Sequence, residues 1–214
     1  MKAILFDLDG TLLNTLDDLA DAVNHTLIHF GCPPRTTDEV RQFVGNGALR
    51  LIRLALPGNP EDPDEESVLD YFRTYYAAHS QVKTSPYAGI PEALTEVMRE
   101  FPVAIVSNKP DNAVKILCGQ YFPGVYALGE SNACPRKPAP DMVYKAMEAI
   151  GAERCIYVGD SEVDVLTAKN AGVPCLSVLW GFRDREELET AGGKYFCETA
   201  AKLVETIEGI IHGQ

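Results

Sequence analysis

The sequence AILFDLDGT, residues 3–11, joins a short apolar run to two carboxylates, a glycine and a hydroxyl group. Its first four residues are all apolar, too few for a helix and without alternation, which is typical of a strand covered on both faces in a parallel sheet. Asp7 follows where this strand would end. Side chains two residues apart on an extended chain project to the same side, so the carboxylates of Asp7 and Asp9 can both reach the same small space. The stretch therefore predicts a buried strand that leads into a reactive turn.

The two carboxylates of this turn indicate either a shared proton or a bound metal. Like charges held this close raise each other's pKa unless a cation compensates for them. Ligands that are all oxygen atoms favour Mg²⁺ over softer metals. A solvated Asp-x-Asp-Gly turn without a function is the alternative, and this stretch alone leaves both interpretations open.

The composition is that of a globular protein with an excess of acidic residues. Of the 214 residues, 46% are hydrophobic, which suffices for one large domain or a medium domain plus a small one. The 19 basic and 31 acidic residues give a net charge of −12, which argues against nucleic-acid or anionic-membrane partners. The chain has no apolar run of membrane-spanning length, no signal peptide and no CxxC pair, so we expect a cytoplasmic protein.

Residues 15–82 show apolar side chains at helical spacing throughout. The pattern predicts four short helices, with a break at Gly45-Asn46-Gly47 between the second and the third. Thr15-Leu16-Asp17-Asp18 resembles a capping box at the start of the first helix. Because nothing strand-like interrupts this block, residues 15–82 are expected to form a cap domain inserted after the first strand.

From residue 83 onward, apolar strands alternate with helices. Strands are expected at residues 103–106, 125–128, 155–158, 174–179 and 195–196. This rhythm predicts an α/β fold with a Rossmann-like three-layer core, in which helices cover both faces of a parallel sheet. The core would consist of residues 1–14 and 83–214.

Polar clusters follow three of the predicted strands, and the carboxyl ends of parallel strands are where such sheets place their chemistry. The clusters are Asp7-Leu8-Asp9, Ser107-Asn108-Lys109 and Gly159-Asp160-Ser161. Each has a structural alternative, such as a strand-to-helix turn at Ser107 or an N-terminal capping box formed by Ser161 and Asp164. Their joint placement favours a functional site.

Four motifs resemble, in order and spacing, those of the haloacid dehalogenase superfamily of phosphohydrolases. They are DLDGT at 7–11, Ser107, Lys137 within RKPAPDM, and GDSEVD at 159–164. The resemblance spans the whole chain. The helical insert after the first motif looks like a C1 cap, and VGDSEVDVLTAKNAG together with Gly181-Phe182-Arg183 resembles the phosphoglycolate phosphatase-like branch.

The resemblance implies a role for each residue of these motifs. Asp7 would be the nucleophile that forms an aspartyl-phosphate, and Asp9 would act first as general acid and then as general base. Mg²⁺ would be bound by Asp7, the backbone carbonyl of Asp9 and Asp160, with Asp164 holding the metal or its waters. Lys137 would also offset the charge of Asp7. The residues expected to bind the phosphoryl group are Thr11, Ser107, Asn108 and Lys137.

The break at residues 45–47 lies where the cap of this superfamily contributes its specificity loop. We therefore expect Asn46, Gly47 and Arg50 to face the leaving group of the substrate. A simple helix interruption with Arg50 in solvent is the alternative. Asn14 stands where relatives commonly carry Asp, a difference that concerns the hinge to the cap.

Together these features predict a Mg²⁺-dependent phosphomonoester hydrolase that acts on 2-phosphoglycolate or a similar small phosphate ester. An inorganic pyrophosphatase, a nucleotidase and a sugar-phosphate phosphatase or mutase of the same superfamily are the alternatives. Asp9 argues against dehalogenation, and the absence of lysine from residues 15–82 argues against Schiff-base phosphonate cleavage. The non-enzyme alternative is a phosphate-sensing binding protein. A small phosphorylated metabolite is the expected partner, and monomer and homodimer both remain open.

Overall fold

The computed structural model of the chain describes residues 2–59, 63–131 and 134–213. The chain divides into two compact units, Met1–Leu13 with Pro86–Gln214 and Asn14–Ser85. The boundaries expected from the sequence, after residues 14 and 82, lie within a few residues of this division. The role of the second unit as a cap remains a prediction.

The secondary structure begins with a strand and a helical block and then alternates between strands and helices. In chain order the elements are β1 (Lys2–Phe6), β2 (Leu13–Asn14), α1 (Leu16–His29), α2 (Thr37–Phe43), α3 (Gly47–Ala55), α4 (Glu65–His79), β3 (Ser85–Pro86), α5 (Ile90–Glu100), β4 (Val103–Pro110), α6 (Asp111–Tyr121), β5 (Tyr126–Glu130), α7 (Asp141–Ala149), β6 (Arg154–Gly159), α8 (Glu162–Ala171), β7 (Cys175–Val178), α9 (Arg185–Thr190), β8 (Tyr195–Cys197) and α10 (Leu203–His212). Among the residues that the structure describes, no helix has the length and apolarity that a membrane crossing requires.

A six-stranded parallel sheet forms the centre of the first unit, in the order β5-β4-β1-β6-β7-β8. Ile4 and Phe6 on one face of β1 pack in a core with α5, α6 and α10, whereas Ala3 and Leu5 on the other face pack with α7 and α8. Both faces of β1 are thus covered, which explains its uninterrupted apolar run. The predicted α/β fold with a three-layer core is confirmed.

The strand order brings the predicted polar clusters to one edge of the sheet. β1 lies between β4 and β6, and the backbone N–H of Asp7 donates to the carbonyl of Val158 on β6 at 2.8 Å. From β1 the chain adds β4 and β5 on one side and later β6, β7 and β8 on the other, so a crevice opens at the carboxyl end of β1. β4 continues to Pro110, through the polar residues that were expected to follow it, and pairs with β5 again at Glu130.

The second unit contains the four helices α1 to α4, as predicted. α2 ends at Phe43 and α3 begins at Gly47, so the expected break is present. Gly45 and Gly47 have φ values of 122° and 80°, a left-handed backbone that glycine adopts without a steric penalty. Arg35 holds the far end of α3, because its Nε donates to the carbonyl of Ala55 at 2.7 Å.

The start of α1 differs from the predicted capping box. Thr15 makes no side-chain cap hydrogen bond, and its hydroxyl has no hydrogen-bond partner within the described part of the chain. Asp18 is buried and accepts instead from the backbone N–H groups of Lys83 at 2.9 Å and Thr84 at 2.8 Å. The capping-box prediction is wrong because this carboxylate binds the segment after α4, which ties the entry and the exit of the unit together.

Replacing Asp18 with Ala should lower the free energy of unfolding by about 2 kcal/mol, because two backbone N–H groups, of which that of Thr84 is buried, lose their acceptor. Urea unfolding followed by circular dichroism measures this change. Asp17→Ala on the exposed side of the same helix is the matched control and should stay within about 0.5 kcal/mol of the unsubstituted chain. Equal stability of the two variants would contradict the assigned role of Asp18.

Candidate active site

Six charged side chains converge at the carboxyl ends of β1, β4 and β6. They are Asp7, Asp9, Lys109, Lys137, Asp160 and Asp164. All except Asp9 are buried, so their charges interact with little screening from solvent. The structure therefore brings together every residue that the sequence nominated for catalysis or metal binding in the first unit.

Asp7, Asp160 and Asp164 form a compact acidic group. Each offers a carboxylate oxygen, and these oxygens lie within 4.8 Å of one another. Three buried carboxylates repel one another unless cations or protons compensate for them. Because hard divalent cations prefer carboxylate ligands in this arrangement, the group could hold a metal ion.

The carboxylate of Asp9 lies apart from this acidic group and has its own cation. Nζ of Lys109 lies 2.8 Å from Oδ1 of Asp9, and the hydroxyl of Ser107 donates to Oδ2 at 3.5 Å. The metal contact expected of Asp9 involves its backbone carbonyl and remains a prediction. Asp7 and Asp9 are thus close in sequence but differ in their charged neighbours.

Lys137 is the cation of the acidic group. Its Nζ lies 2.8 Å from Oδ1 of Asp7 and 2.8 Å from Oδ1 of Asp164, and it donates to the hydroxyl of Tyr157 at 3.1 Å. Burial opposes the charge of the amine, but Asp164 and Asp7 outweigh that effect and raise the pKa of Lys137 well above its usual value. Lys137 is therefore a permanent positive charge in contact with Asp7.

Asp160 is held on both of its carboxylate oxygens. The hydroxyl of Thr11 donates to Oδ1 at 2.9 Å, and the backbone N–H of Phe182 donates to Oδ2 at 2.8 Å. The backbone also approaches closely at Gly10 and Gly181, where a Cβ would collide with Asp160. These contacts leave Asp160 a single orientation toward the acidic group.

The acidic group binds protons more tightly than isolated carboxylates do. Burial raises the pKa of Asp160 to about 7 and Asp164 adds to the effect, while hydrogen bonds from Phe182 and Thr11 oppose it. Burial also raises the pKa of Asp7 well above its usual value, against the opposing charge of Lys137. Without a metal, the group therefore carries a proton near neutral pH, which a divalent cation would displace.

Two residues expected to bind the phosphoryl group have other partners. Thr11 gives its only hydroxyl proton to Asp160, so its side chain does not donate to phosphate in this arrangement. Asn108 accepts from the backbone N–H of Lys137 at 2.7 Å and donates to its carbonyl at 3.0 Å. In this arrangement Thr11 orients Asp160, and Asn108 holds the loop that carries Lys137. The contact of either residue with a phosphoryl group remains a prediction.

The alternation of β4 explains why neighbouring residues serve different partners. Ser107 and Lys109 lie on one side of the strand and contact Asp9, whereas Asn108 points to the other side and binds Lys137. The contact of Ser107 with a phosphoryl group remains a prediction. Sequence reasoning gave Lys109 no role, although the two-residue period of a strand extended beyond Val106 would have placed it beside Ser107.

Tyr157 is a second site residue that the sequence did not reveal. Its hydroxyl lies within hydrogen-bond distance of Lys137, of Asp164 at 3.3 Å and of the carbonyl of Val106 at 3.3 Å. Tyr157 is fully buried in β6, in an otherwise apolar run. A tyrosine in a buried strand is ordinary core composition, so no sequence signal distinguished it.

The predicted substrate-facing residues of the second unit lie at the start of α3. Asn46 precedes this helix, Gly47 is its first residue, and Arg50 is exposed in its first turn. Their contact with a leaving group remains a prediction.

Comparison with known proteins gives a consistent picture. Residues 4–178 match the family model of haloacid dehalogenase-like hydrolases. The phosphoglycolate phosphatase of Pseudomonas fluorescens Pf0-1 is 35% identical to this chain, and the match covers 95% of this chain and 78% of that protein's length. Phosphoglycolate phosphatase 1 of Pseudomonas aeruginosa PAO1 is 36% identical, over 85% of this chain and 70% of its own.

Solved structures share the architecture. A crystal structure from Lactobacillus delbrueckii subsp. bulgaricus, provisionally named a phosphoglycolate phosphatase, has a TM-score of 0.88 and 34% identity, covering 96% of this chain and 97% of its own. The haloacid dehalogenase-like family protein SP0104 of Streptococcus pneumoniae has a TM-score of 0.85 at 22% identity, covering 95% of this chain and 96% of its own, which shows a shared fold.

The metal-free protein should become less stable as the pH rises from about 4 to about 7. Folded Asp160 keeps its proton up to a pKa of about 7, whereas an unfolded aspartate loses it near 3.8, so over this range the folded state binds more protons. The loss is at most roughly 4 kcal/mol. Urea unfolding in EDTA across this pH range measures it.

Asp160→Asn should remove most of this pH dependence, and Asp141→Asn, at an exposed helix start, should retain it. A divalent cation should raise the melting temperature of the unsubstituted chain more at about pH 8 than at about pH 5, because protons compete for the same carboxylates. The assignment of the acidic group fails if EDTA-treated protein has the same stability at both pH values.

Proposed function

Because the chain belongs to the haloacid dehalogenase-like hydrolases and is a phosphatase, we propose that it is a Mg²⁺-dependent phosphomonoesterase that acts through an aspartyl-phosphate. The observation that carries the proposal is the environment of Asp7. This carboxylate ends the central strand, touches Lys137 at 2.8 Å and belongs to the acidic group with Asp160 and Asp164. The proposed nucleophile, its cation and a candidate metal site therefore share one small space.

In the first step, a carboxylate oxygen of Asp7 would attack phosphorus while the bond to the leaving oxygen breaks. Lys137 offsets negative charge on Asp7 and on the incoming phosphate, which would otherwise repel each other. Mg²⁺ bound by Asp7, Asp160, Asp164 and the carbonyl of Asp9 would supply the remaining positive charge at the phosphoryl oxygens.

Asp9 would move the proton in both steps. Protonated Asp9 gives its proton to the leaving oxygen, so that an alcohol departs instead of an alkoxide. The resulting carboxylate then takes a proton from water, which attacks the phosphorus of the aspartyl-phosphate. Inorganic phosphate is released, and both Asp7 and protonated Asp9 are regenerated.

We propose 2-phosphoglycolate as the substrate, with other small phosphate esters next. The support is the name of the relatives at 35% and 36% identity, which are phosphoglycolate phosphatases. In an acidic protein of net charge −12, a small anionic ester would need a local positive charge, such as that of Lys137. The second unit would close as a cap over the ester and exclude water during transfer.

Asp7→Asn should abolish turnover, with a loss of at least about 10³-fold in kcat, because an amide cannot form the acyl phosphate. Phosphate release with Mg²⁺ would be measured across 2-phosphoglycolate, pyrophosphate, nucleotides and sugar phosphates. Asp141→Asn is the matched control and should retain full activity. Preferred turnover of a nucleotide would replace the proposed substrate, and an active Asp7→Asn protein would refute the proposed intermediate.

Arg50→Ala should raise the KM for the best ester about 10-fold with a smaller change in kcat, if Arg50 binds the leaving group. Arg53→Ala, one turn later on α3, is the matched control, since Arg53 is engaged with Glu65 at 2.7 Å. Steady-state kinetics on the full ester panel gives the comparison. An unchanged KM for every ester would remove Arg50, and the loop of Asn46 and Gly47 with it, from the proposed substrate contacts.

A further inference from the structure

The two aspartates of the DLD turn each have a separate lysine. Lys137 contacts Asp7, with 2% and 11% of their side chains exposed. Lys109 contacts Asp9, with 5% and 14% exposed. Both ion pairs have an N to O distance of 2.8 Å. The proposed nucleophile and the proposed acid–base residue therefore contact different cations, Lys137 on the loop before α7 and Lys109 in β4.

Of the two contacts that the structure describes for the carboxylate of Asp9, the ion pair with Lys109 is the shorter, at 2.8 Å. The other, from the hydroxyl of Ser107, is at 3.5 Å and lies at the limit of hydrogen bonding. A carboxyl group on a turn has several rotamers, and an ion pair of 2.8 Å selects one of them. The orientation of the Asp9 carboxylate thus depends mainly on Lys109.

Local contacts define the position of Lys109. It is buried near the end of β4, next to Pro110, which pairs with Glu130 of β5 after an irregularity in the register that follows Val106. Its backbone N–H donates to the hydroxyl of Ser107 at 3.2 Å. A cation carried on a central strand is positioned far more precisely than one on a loop, as proton transfer requires.

Stability alone is a poor explanation for this ion pair. Desolvating two charges costs about as much as their attraction returns, so buried pairs contribute little net stability. The placement of Lys109 next to the proposed acid–base residue calls for a functional explanation.

We propose that Lys109 is a positioning residue for proton transfer, which holds the carboxyl group of Asp9 in the orientation from which it protonates the leaving oxygen. The inference rests on the proposed function, in which Asp9 protonates the leaving oxygen. It goes beyond that function by assigning a residue of β4 to the leaving-group step. In this division, Lys137 contacts the attacking carboxylate of Asp7, and Lys109 acts on departure of the leaving oxygen through Asp9.

This division of roles predicts a dependence on the leaving group. An alkyl ester expels a strongly basic oxygen that needs a proton, whereas 4-nitrophenolate departs without one. A displaced Asp9 should therefore lower kcat/KM for alkyl esters and leave kcat/KM for 4-nitrophenyl phosphate nearly unaffected, because this ratio covers only the steps up to departure of the leaving group. Hydrolysis of the aspartyl-phosphate, which also uses Asp9, is common to both esters and affects kcat. A general distortion of the site would slow both kinds of ester alike.

The experiment compares Lys109→Met with the unsubstituted enzyme in Mg²⁺, on 4-nitrophenyl phosphate and on the best alkyl ester of the panel. We expect kcat/KM for the alkyl ester to fall about 10²-fold and kcat/KM for 4-nitrophenyl phosphate to fall less than about 3-fold. Lys109→Arg should recover part of the loss. Lys115→Met is the matched control, because Lys115 forms an exposed pair with Asp111 on α6.

A double-substitution cycle with Asp9→Asn completes the test. If Lys109 acts through Asp9, the two losses on the alkyl ester are not additive, and the double variant resembles Asp9→Asn alone. Equal losses of kcat/KM on both esters, additive losses, or an unchanged kcat/KM for the alkyl ester would each overturn the proposal. If neither Lys109→Met nor Lys109→Arg folded, the proposal would also be overturned, because Lys109 would then be required for folding.

The activity of the unsubstituted enzyme separates this inference from the proposed function. If the unsubstituted enzyme hydrolyses neither ester, the proposed function fails and the role of Lys109 fails with it. If it is active and Lys109→Met loses activity uniformly, only the role of Lys109 is refuted.

Discussion

The burial of three carboxylates at one end of the sheet is the constraint on which the rest of the site depends. In the interior of a protein, each negative charge must meet a cation, a proton or hydrogen-bond donors. Lys137 contacts Asp7 and Asp164, and Asp160 receives two neutral donors. One lysine cannot balance three carboxylates, so the arrangement is complete only with protons or a divalent cation. The uncompensated negative charge would attract a divalent cation, and phosphoryl transfer uses such a cation to neutralise charge on the phosphate.

Several residues act by placing the charged groups and not by contacting a substrate. Lys137 lies on a loop, and Asn108 holds both the N–H and the carbonyl of its backbone. Asp160 is oriented by Thr11. The backbone can approach this carboxylate at Gly10 because glycine has no side chain, and a Cβ there would collide with Asp160. The strand β4 contributes to both charged pairs, since alternate residues project to opposite sides. A central strand can therefore organise two different functions with three consecutive residues.

Much of this architecture was predictable, because hydrophobic periodicity and strand-end chemistry are local properties. The apolar run of β1, the four helices of the inserted unit and the alternation of strands and helices all follow from near neighbours in the chain. The hydrogen-bond partners of several polar residues were not predictable, for a common physical reason. Asp18, Thr11 and Asn108 are short polar residues whose chemistry allows several partners, and the nearest partner in space lies far away in the chain. Their residue type shows that a hydrogen bond will form but not with which group.

Residue order was enough to establish the family, the sheet and the set of carboxylates available for chemistry, because motifs and periodic patterns are written in consecutive residues. The pairing of those carboxylates with their cations came from the folded arrangement. Lys109 and Asp9 are separated by 100 positions in sequence, and they meet because β4 lies beside β1 in a particular register. Hydrogen bonds and ion pairs act over about 3 Å, a precision that depends on strand register and side-chain rotamers, and neither can be read from residue order.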